Sequence, residues 1–463
     1  MKWQGSGSRL QVPLGETEPC RKVLQLVRQA HRGRGRSAPS IAPVSISVNI
    51  GKIRIAPGRG DDSSQLYLRS PGSIHSRSHP LSTRAPMDRI YLDEASEAPL
   101  LPEARDAMLR WLGRAADPSR AYAEAMEARQ AIEVARESVG ALVGAAPRDV
   151  TFTSSATEAL NWLVDATCRD GAKVAVSSME HSAVFDSAAR AQAEGVARVE
   201  VIAANSFGAI ELGHLAELLD AGTGPRSVFV QHANHETGTI QPIEAATQLC
   251  HERNAICVVD AALTAGRIPV TLKSTAADAI VLSAHKFGGP PGAGAVATRR
   301  GVRFRPMLSG GNQERARRAG PENVAAIAGF GAAAARVVND LESEAARQQQ
   351  ITDALRRRIV GQIAGIEFLG DPDSRLPHVV SMQMQGVQGE PVVLGLDQAG
   401  FAVHSGSACS NEILEPSRIL EIIGVESREN LRISIGRSTP EGFATHFVEA
   451  LAKTITGLRG LAG

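Results

Sequence analysis

Val281-Leu282-Ser283-Ala284-His285-Lys286-Phe287-Gly288-Gly289-Pro290 joins an apolar run to a chain break. The run begins at Ala279 and reads as a buried strand, which Gly288-Gly289-Pro290-Pro291-Gly292 ends in a loop. A lysine at the end of a core strand is poorly placed for solvent. Burial depresses an amine pKa and suits Schiff-base chemistry. Taken alone, Lys286 is more simply a strand-end lysine reaching water. Its neighbours decide between the two.

Outward from this run, short apolar strands at 150–153, 173–176, 199–202, 227–230, 256–259 and 279–282 alternate with helical patterns. That alternation implies an α/β fold, a mostly parallel sheet covered by helices on both faces. Residues 292–298 are expected to return as an edge strand. Helices are expected over 102–113, with the proline in the first turn, and over 121–143, with Arg129 facing Glu133 and Glu133 facing Arg136. A long helix over about 322–357 is expected to break near Gly329 and Gly331. Beyond about residue 365, strands near 378–385, 401–404 and 431–435 mix with helices near 390–399, 416–423 and 440–457. That mixture reads as a smaller α+β domain. The expected organisation is a segment 87–105 joining the small domain, a large domain 106–339 and a small domain 340–463. Residues 1–86 are rich in Arg, Ser, Gly and Pro and lack the apolar core of a secretory signal. They are expected to be a disordered extension, with a short helix near 21–31 and Met87 as the natural start.

The chain has 463 residues, enough for two or three domains with a large core. A hydrophobic content of 43% and a charged content of 21% are those of a globular protein. The net charge of +1 gives no electrostatic case for nucleic acid or a membrane surface. No apolar run is long enough to span a bilayer. The five cysteines form neither a CxxC pair nor a zinc spacing, which favours free thiols in a reducing compartment such as the cytoplasm. Cys168, Cys250 and Cys257 lie in apolar patterns and are expected in the core.

In a parallel sheet, ligands bind beyond the carboxyl ends of the strands. Several strands here end in polar residues. Ser154-Ser155-Ala156-Thr157-Glu158 opens a helix, and the amides of a helix start can hold an anion or simply be capped. Glu180-His181-Ser182 places an imidazole at another strand end, and Gln231 to Gly238 carries His232, Asn234, His235 and Glu236. Asp260 follows four apolar residues, and a buried carboxylate needs a partner. Asp260 and Lys286 lie on successive strands. A lysine for a Schiff base, an aspartate for a pyridinium and a helix start for a phosphate are what pyridoxal phosphate requires.

Cys409 sits in the small, polar stretch Ser405-Gly406-Ser407-Ala408-Cys409-Ser410. A thiol in such a loop is exposed and can move as a nucleophile. Arg432, in Leu431-Arg432-Ile433-Ser434, is either a solvent-facing strand arginine or a bidentate holder of a substrate carboxylate.

From Ile90 to about Phe447 the chain resembles the cysteine desulfurases, a class V branch of the fold-type I pyridoxal-phosphate enzymes. The resemblance rests on Phe152 to Glu158, Glu180-His181-Ser182-Ala183-Val184, Ser283-Ala284-His285-Lys286-Phe287, Gly310-Gly311-Asn312-Gln313-Glu314-Arg315, and Ser405 to Ser410 followed by Leu414-Glu415-Pro416-Ser417. It implies that Lys286 holds the cofactor as a Schiff base and later moves a proton. Asp260 would pair with the pyridinium, and His181 would stack on the ring and assist proton transfer. Thr157, the Ala156 amide, Ser283 and His285 would bind the phosphate. Arg432 would bind the carboxylate of L-cysteine. Cys409 would take the sulfur as a persulfide, release alanine, and pass the sulfur to an acceptor such as an iron–sulfur scaffold. The resemblance also implies a homodimer.

The chain departs from the family pattern at several positions. His235 stands for an asparagine that contacts the ring hydroxyl, Leu263 for a glutamine, Pro321 for a threonine and Asn312 for a glycine. Asp93-Glu94-Ala95-Ser96-Glu97 replaces Asp-Asn-Asn-Ala-Thr, and Asp117-Pro118-Ser119-Arg120 replaces Asn-Pro-Ser-Ser. Each neutral hydrogen bond lost is worth about 0.5–1.5 kcal/mol, so cofactor hold is expected to be weaker unless the covalent lysine bond and His235 compensate. Three alternatives stay open: a selenocysteine lyase, a class V aminotransferase or epimerase, and a catalytically weak paralogue acting as a binding or regulatory partner.

Overall fold

The computed structural model describes residues 89–169, 171–224, 226–405 and 417–462. The expected extension over 1–86, its helix near 21–31 and Cys409 lie outside the described residues. Strand β1 (Ile90–Tyr91) leads into α1 (Pro102–Leu109) and α2 (Ala123–Val143). Then β2 (Val150–Thr153), α3 (Ala156–Thr167), β3 (Ala172–Ser177), α4 (Ser182–Ala193), β4 (Ala197–Ile202) and α5 (Leu212–Asp220) alternate. The alternation continues through β5 (Ser227–Gln231), α6 (Ile243–Glu252), β6 (Ile256–Asp260), β7 (Ala279–Ser283) and β8 (Gly294–Thr298). Helices α7 (Val324–Val338) and α8 (Leu341–Gln362) precede β9 (Ile366–Phe368), β10 (Val379–Met384), α9 (Gly389–Gln398) and β11 (Phe401–Ala402). After residue 417 come α10 (Arg418–Ile422), β12 (Asn430–Ser434) and α11 (Phe443–Ala462).

The large sheet has the order β2-β8-β7-β6-β5-β3-β4. Its strands from β7 to β4 pair in parallel, as crossover helices require. Apolar side chains fill both faces: β5, β7 and β8 are buried along their whole length. Helices cover each face with a separate apolar cluster. Strand β8 is not at the edge, as its sequence suggested. It runs antiparallel between β7 and β2, and β2 takes the edge. Cys168, Cys250 and Cys257 are buried free thiols.

A second core surrounds the antiparallel sheet β12-β10-β9, with α8, α9 and α11 packed on it. Leu92, from the start of the described chain, is fully buried in that core. Its neighbour β1 pairs in parallel with β11. Among the described residues no single helix is long and apolar enough to cross a membrane.

Two local expectations fail for identifiable reasons. Helices α7 and α8 part at Asn339 and Asp340, with a 74° bend, rather than at the glycines. The Asp340 carboxylate holds the bend by accepting from Arg336 and Arg437, each at 2.8 Å. Gly329 and Gly331 lie inside α7 because a Cβ there would meet Met108 at 2.7 Å and the Ala135 backbone at 2.4 Å. Their role is close helix packing, not a break. Arg129 does not pair with Glu133. Its guanidinium donates to the Pro118 and Arg120 carbonyls, while Glu133 accepts from Arg136 and Arg315.

These glycines give a stability test. Gly331→Ala is expected to lose about 1–3 kcal/mol, because the Ala135 backbone cannot move aside. Gly361→Ala, in α8 with open space around it, is expected to gain about 0.5–1 kcal/mol from helix entropy. Urea unfolding of the two variants should move in opposite directions.

Candidate active site

Strands β6 and β7 are parallel neighbours, so their last residues, Asp260 and Ser283, open on one edge of the sheet. A single turn over Ala284–Lys286 then carries the lysine across that edge. Helices α3 and α4 start at the carboxyl ends of their strands. Ser155 caps α3, its Oγ accepting the Glu158 N–H at 3.1 Å. His181 caps α4, its Nδ1 accepting the Ala183 N–H at 3.0 Å. An accepting Nδ1 carries no proton, so neutral His181 is the Nε2–H tautomer.

Ala156, Thr157, His181, His235, Asp260, Ser283, His285, Lys286 and Arg432 all line one cavity of about 370 Å³. Sequence separation between these residues reaches from Ala156 to Arg432, so only the fold brings them together. The position of Cys409 lies outside the described residues.

Lys286 Nζ donates to the carbonyls of Ala95 and Ser96, both at 2.8 Å. Burial, then the Arg432 charge, pushes its pKa down to about 8, against the pull of Asp93 and Asp260. Asp260 Oδ1 accepts the Ala262 N–H at 2.9 Å. Its carboxylate has no ion-pair partner among the described residues, and burial raises its pKa although Ala262, His181 and Lys286 oppose the rise. Burial lowers His181, against Asp260. Burial and then the His181 charge hold His235 well below the ordinary imidazole value. The two rings meet edge to face, with centroids 5.2 Å apart. Ser283 Oγ and His285 Nδ1 are 3.0 Å apart.

Arg432 is nearly buried and donates to the His235 carbonyl, Asp93 Oδ1 and Ser96 Oγ, each at 2.7 Å. It therefore faces the cavity rather than solvent. Of the altered positions, Leu263 and His235 both form cavity wall. Leu263 packs with Ala95, Ala233, Leu376 and Val379, so an apolar cluster stands where a glutamine was expected.

Sequence reasoning missed Ala95, Ser96 and His404 as cavity residues, whereas Glu236, named in the polar strand-end cluster, does line the cavity. The carbonyls of Ala95 and Ser96 carry no residue-type signal at all. His404 had one: it sits in a strand-like run beside the cysteine stretch. Glu236 accepts from Ser417 Oγ at 2.8 and 2.6 Å, which fixes the start of α10 at the rim.

The site suits a phosphate-bearing pyridine aldehyde. Asp260 offers a half-buried carboxylate without an ion-pair partner among the described residues, Lys286 an amine of lowered basicity, and α3 a free N-terminus. Among the described residues, nothing accepts from the Ala156 or Thr157 N–H. Gly294 lets β8 run against the start of α3, where a Cβ would lie 2.5 Å from the Ser155 carbonyl carbon. This donor set is that of a fold-type I pyridoxal-phosphate enzyme.

The chain belongs to the aminotransferase class-V family, whose model matches residues 90–442. It is 34% identical over 383 residues to a cysteine desulfurase of Nostoc sp., covering 81% of this chain and 95% of that protein. It is 35% identical over 383 residues to cysteine desulfurase IscS 1 of Archaeoglobus fulgidus, covering 80% and 98%. Among solved structures, the NifS-like protein from Rickettsia africae superposes with a TM-score of 0.73 at 26% identity, covering 80% of this chain and 99% of that one.

Lys286 is open to direct titration in the cofactor-free protein. Its labelling by a small acylating reagent should rise through a midpoint near pH 8, against about 10.4 for an ordinary lysine. Arg432→Met removes a cation and should move the midpoint up. Asp260→Asn removes an anion and should move it down.

Proposed function

We propose that this chain is a pyridoxal-phosphate-dependent cysteine desulfurase that takes sulfur from L-cysteine and leaves L-alanine. The observation that carries the reading is one cavity holding Lys286, Asp260, His181, Arg432 and the start of α3. The Ser-Gly-Ser-Ala-Cys stretch ending at Cys409 narrows the chemistry to sulfur.

Lys286 Nζ would hold the cofactor covalently, and its pKa of about 8 leaves about a tenth of the amine unprotonated at pH 7. When bound, pyridoxal phosphate supplies an electron sink for bond breaking at the substrate. The Ala156 and Thr157 amides, Thr157 Oγ1, Ser283 and His285 would bind its phosphate. Asp260 would pair with the protonated ring nitrogen, which supplies the cation this carboxylate lacks. His181 would stack on the ring and present Nε2–H as a proton donor. Arg432 would attract the substrate carboxylate. Cys409 Sγ, as thiolate, would attack the substrate sulfur. An S–S bond forms as the substrate Cβ–S bond breaks, and Cβ takes a proton to become the methyl of alanine.

The persulfide on Cys409 would pass its outer sulfur to an acceptor protein such as an iron–sulfur scaffold. A homodimer fits the exposed apolar side chains Leu109, Leu112 and Met126 and a groove between α1, α2 and α7 that exposed Val134 lines. A cytoplasmic location is the reading that the free thiols favour.

Purified protein should carry a visible absorption band that Lys286→Ala abolishes. L-cysteine should yield equal alanine and sulfide in the presence of a thiol reductant. Cys409→Ala should keep the band and lose desulfuration. His181→Gln should slow turnover about 10²-fold or more, as loss of a general acid–base group does. A band with transamination indifferent to Cys409 would sink the sulfur chemistry while sparing the cofactor.

A further inference from the structure

We propose that His404 determines substrate specificity, its imidazole hydrogen-bonding the carboxylate of the amino-acid substrate beside Arg432. The proposal rests on the cysteine desulfurase reading and extends it to a residue that the resemblance does not assign.

The argument starts from the donors of Arg432. A guanidinium has five N–H groups. One NH1 hydrogen serves the His235 carbonyl and both NH2 hydrogens serve Asp93 Oδ1 and Ser96 Oγ, so only the other NH1 hydrogen and Nε–H remain. Nε is buried and has no partner among the described residues. A carboxylate arriving in the cavity therefore finds the Arg432 charge but not a free two-pronged fork. Complete recognition requires a further donor close by.

His404 is placed to be that donor. It forms an antiparallel bridge with Arg432, each N–H reaching the other's carbonyl at 3.2 and 2.7 Å. Residues directly opposite across such a pair project to the same face. Both side chains line the cavity that holds Lys286. His404 Nδ1 is buried with no partner among the described residues. An orphaned buried N–H is rarer than an orphaned acceptor, so the proton belongs on Nε2. That leaves Nε2–H as the ring group able to meet a ligand. Burial, then the Arg432 charge, pushes the ring pKa down to about 4, so the imidazole is neutral at physiological pH. A neutral donor adds a hydrogen bond without adding a third cation to the pair Lys286 and Arg432.

The test uses the cofactor-loaded protein and reads the shift of its visible band, not turnover. The ligands are L-alanine, which has amine and carboxylate, and cysteamine, which has amine and thiol but no carboxylate. His404→Phe keeps the ring volume and removes both nitrogens. It should weaken L-alanine binding roughly ten- to hundredfold, the worth of a hydrogen bond to a charged group, and leave cysteamine unchanged. His404→Gln keeps a side-chain N–H and should recover part of the loss. If His404→Phe does not fold, His404→Ala removes the ring and every side-chain donor and is read the same way. Equal weakening of both ligands, or of neither, overturns the assignment. A wild-type protein with no visible band overturns instead the cofactor reading on which the assignment stands.

Discussion

The Lys286 ammonium must be held in the protein interior with no carboxylate bonded to it, and the carbonyls of Ala95 and Ser96 do this. Those carbonyls belong to a strip of chain that the C-terminal core positions. Leu92 is buried in that core, and Asp93 bridges to Ser434 of β12. The strip is then tied back to the large sheet. Arg267 Nε donates to the Lys286 carbonyl at 3.1 Å, and its NH2 group meets Glu94 at 2.8 Å in a buried ion pair. Gly436 leaves the room that Glu94 needs, since a Cβ there would lie 1.9 Å from its carboxyl. Removing one partner of such a pair strands the other charge at a cost of about 3–5 kcal/mol. Glu94, a departure from the family pattern, thus has a structural account.

The end of the cavity at the start of α3 depends on a second buried pair. Glu314 and Arg136 are joined at 2.6 and 2.8 Å, and Glu314 also accepts the Phe152 N–H of β2. Around this carboxylate Glu314, Arg315 and Ala316 all take positive φ, 47°, 57° and 60°. Left-handed backbone costs a non-glycine residue roughly 1–2 kcal/mol, so three in succession need an external hold. The ion pair supplies it. Arg318, two residues beyond the turn, then pairs with Glu158 at 2.8 Å in the first turn of α3. The orientation of that helix start is therefore fixed from outside the sheet as well as by its Ser155 cap.

The strand pattern was legible because it is local. Mostly apolar runs of four residues with polar ends located each parallel strand and the residues at its carboxyl end, including Asp260 and Ser283. Contacts that join distant parts of the chain left no such mark. The two carbonyls on Lys286 come from about 190 positions earlier, and a backbone carbonyl is invisible in residue type. The place of β8 inside the sheet depends on what pairs with its far side, β2, which periodicity cannot name. Gly329 and Gly331 misled because glycine breaks helices and also lets them approach, and only the facing residues Met108 and Ala135 separate these uses.

The charge balance of the cavity explains why so many of its imidazoles stay neutral. Lys286 and Arg432 share it with Asp260 and Glu236, but burial raises the pKa of both acids and weakens their hold on the cations. The imidazoles respond to the same field. After burial, Lys286 lowers His285, Arg432 lowers His404, and both cations join His181 in lowering His235. Both ligands in the proposed reaction bring further anions into this field, as phosphate and as carboxylate. Each anion bound there would raise the pKa of the imidazoles nearest it. Ligand affinity and histidine protonation are therefore one linked equilibrium in this site. Replacing asparagine by His235 adds a titrating group to that equilibrium, where the family residue could only form hydrogen bonds.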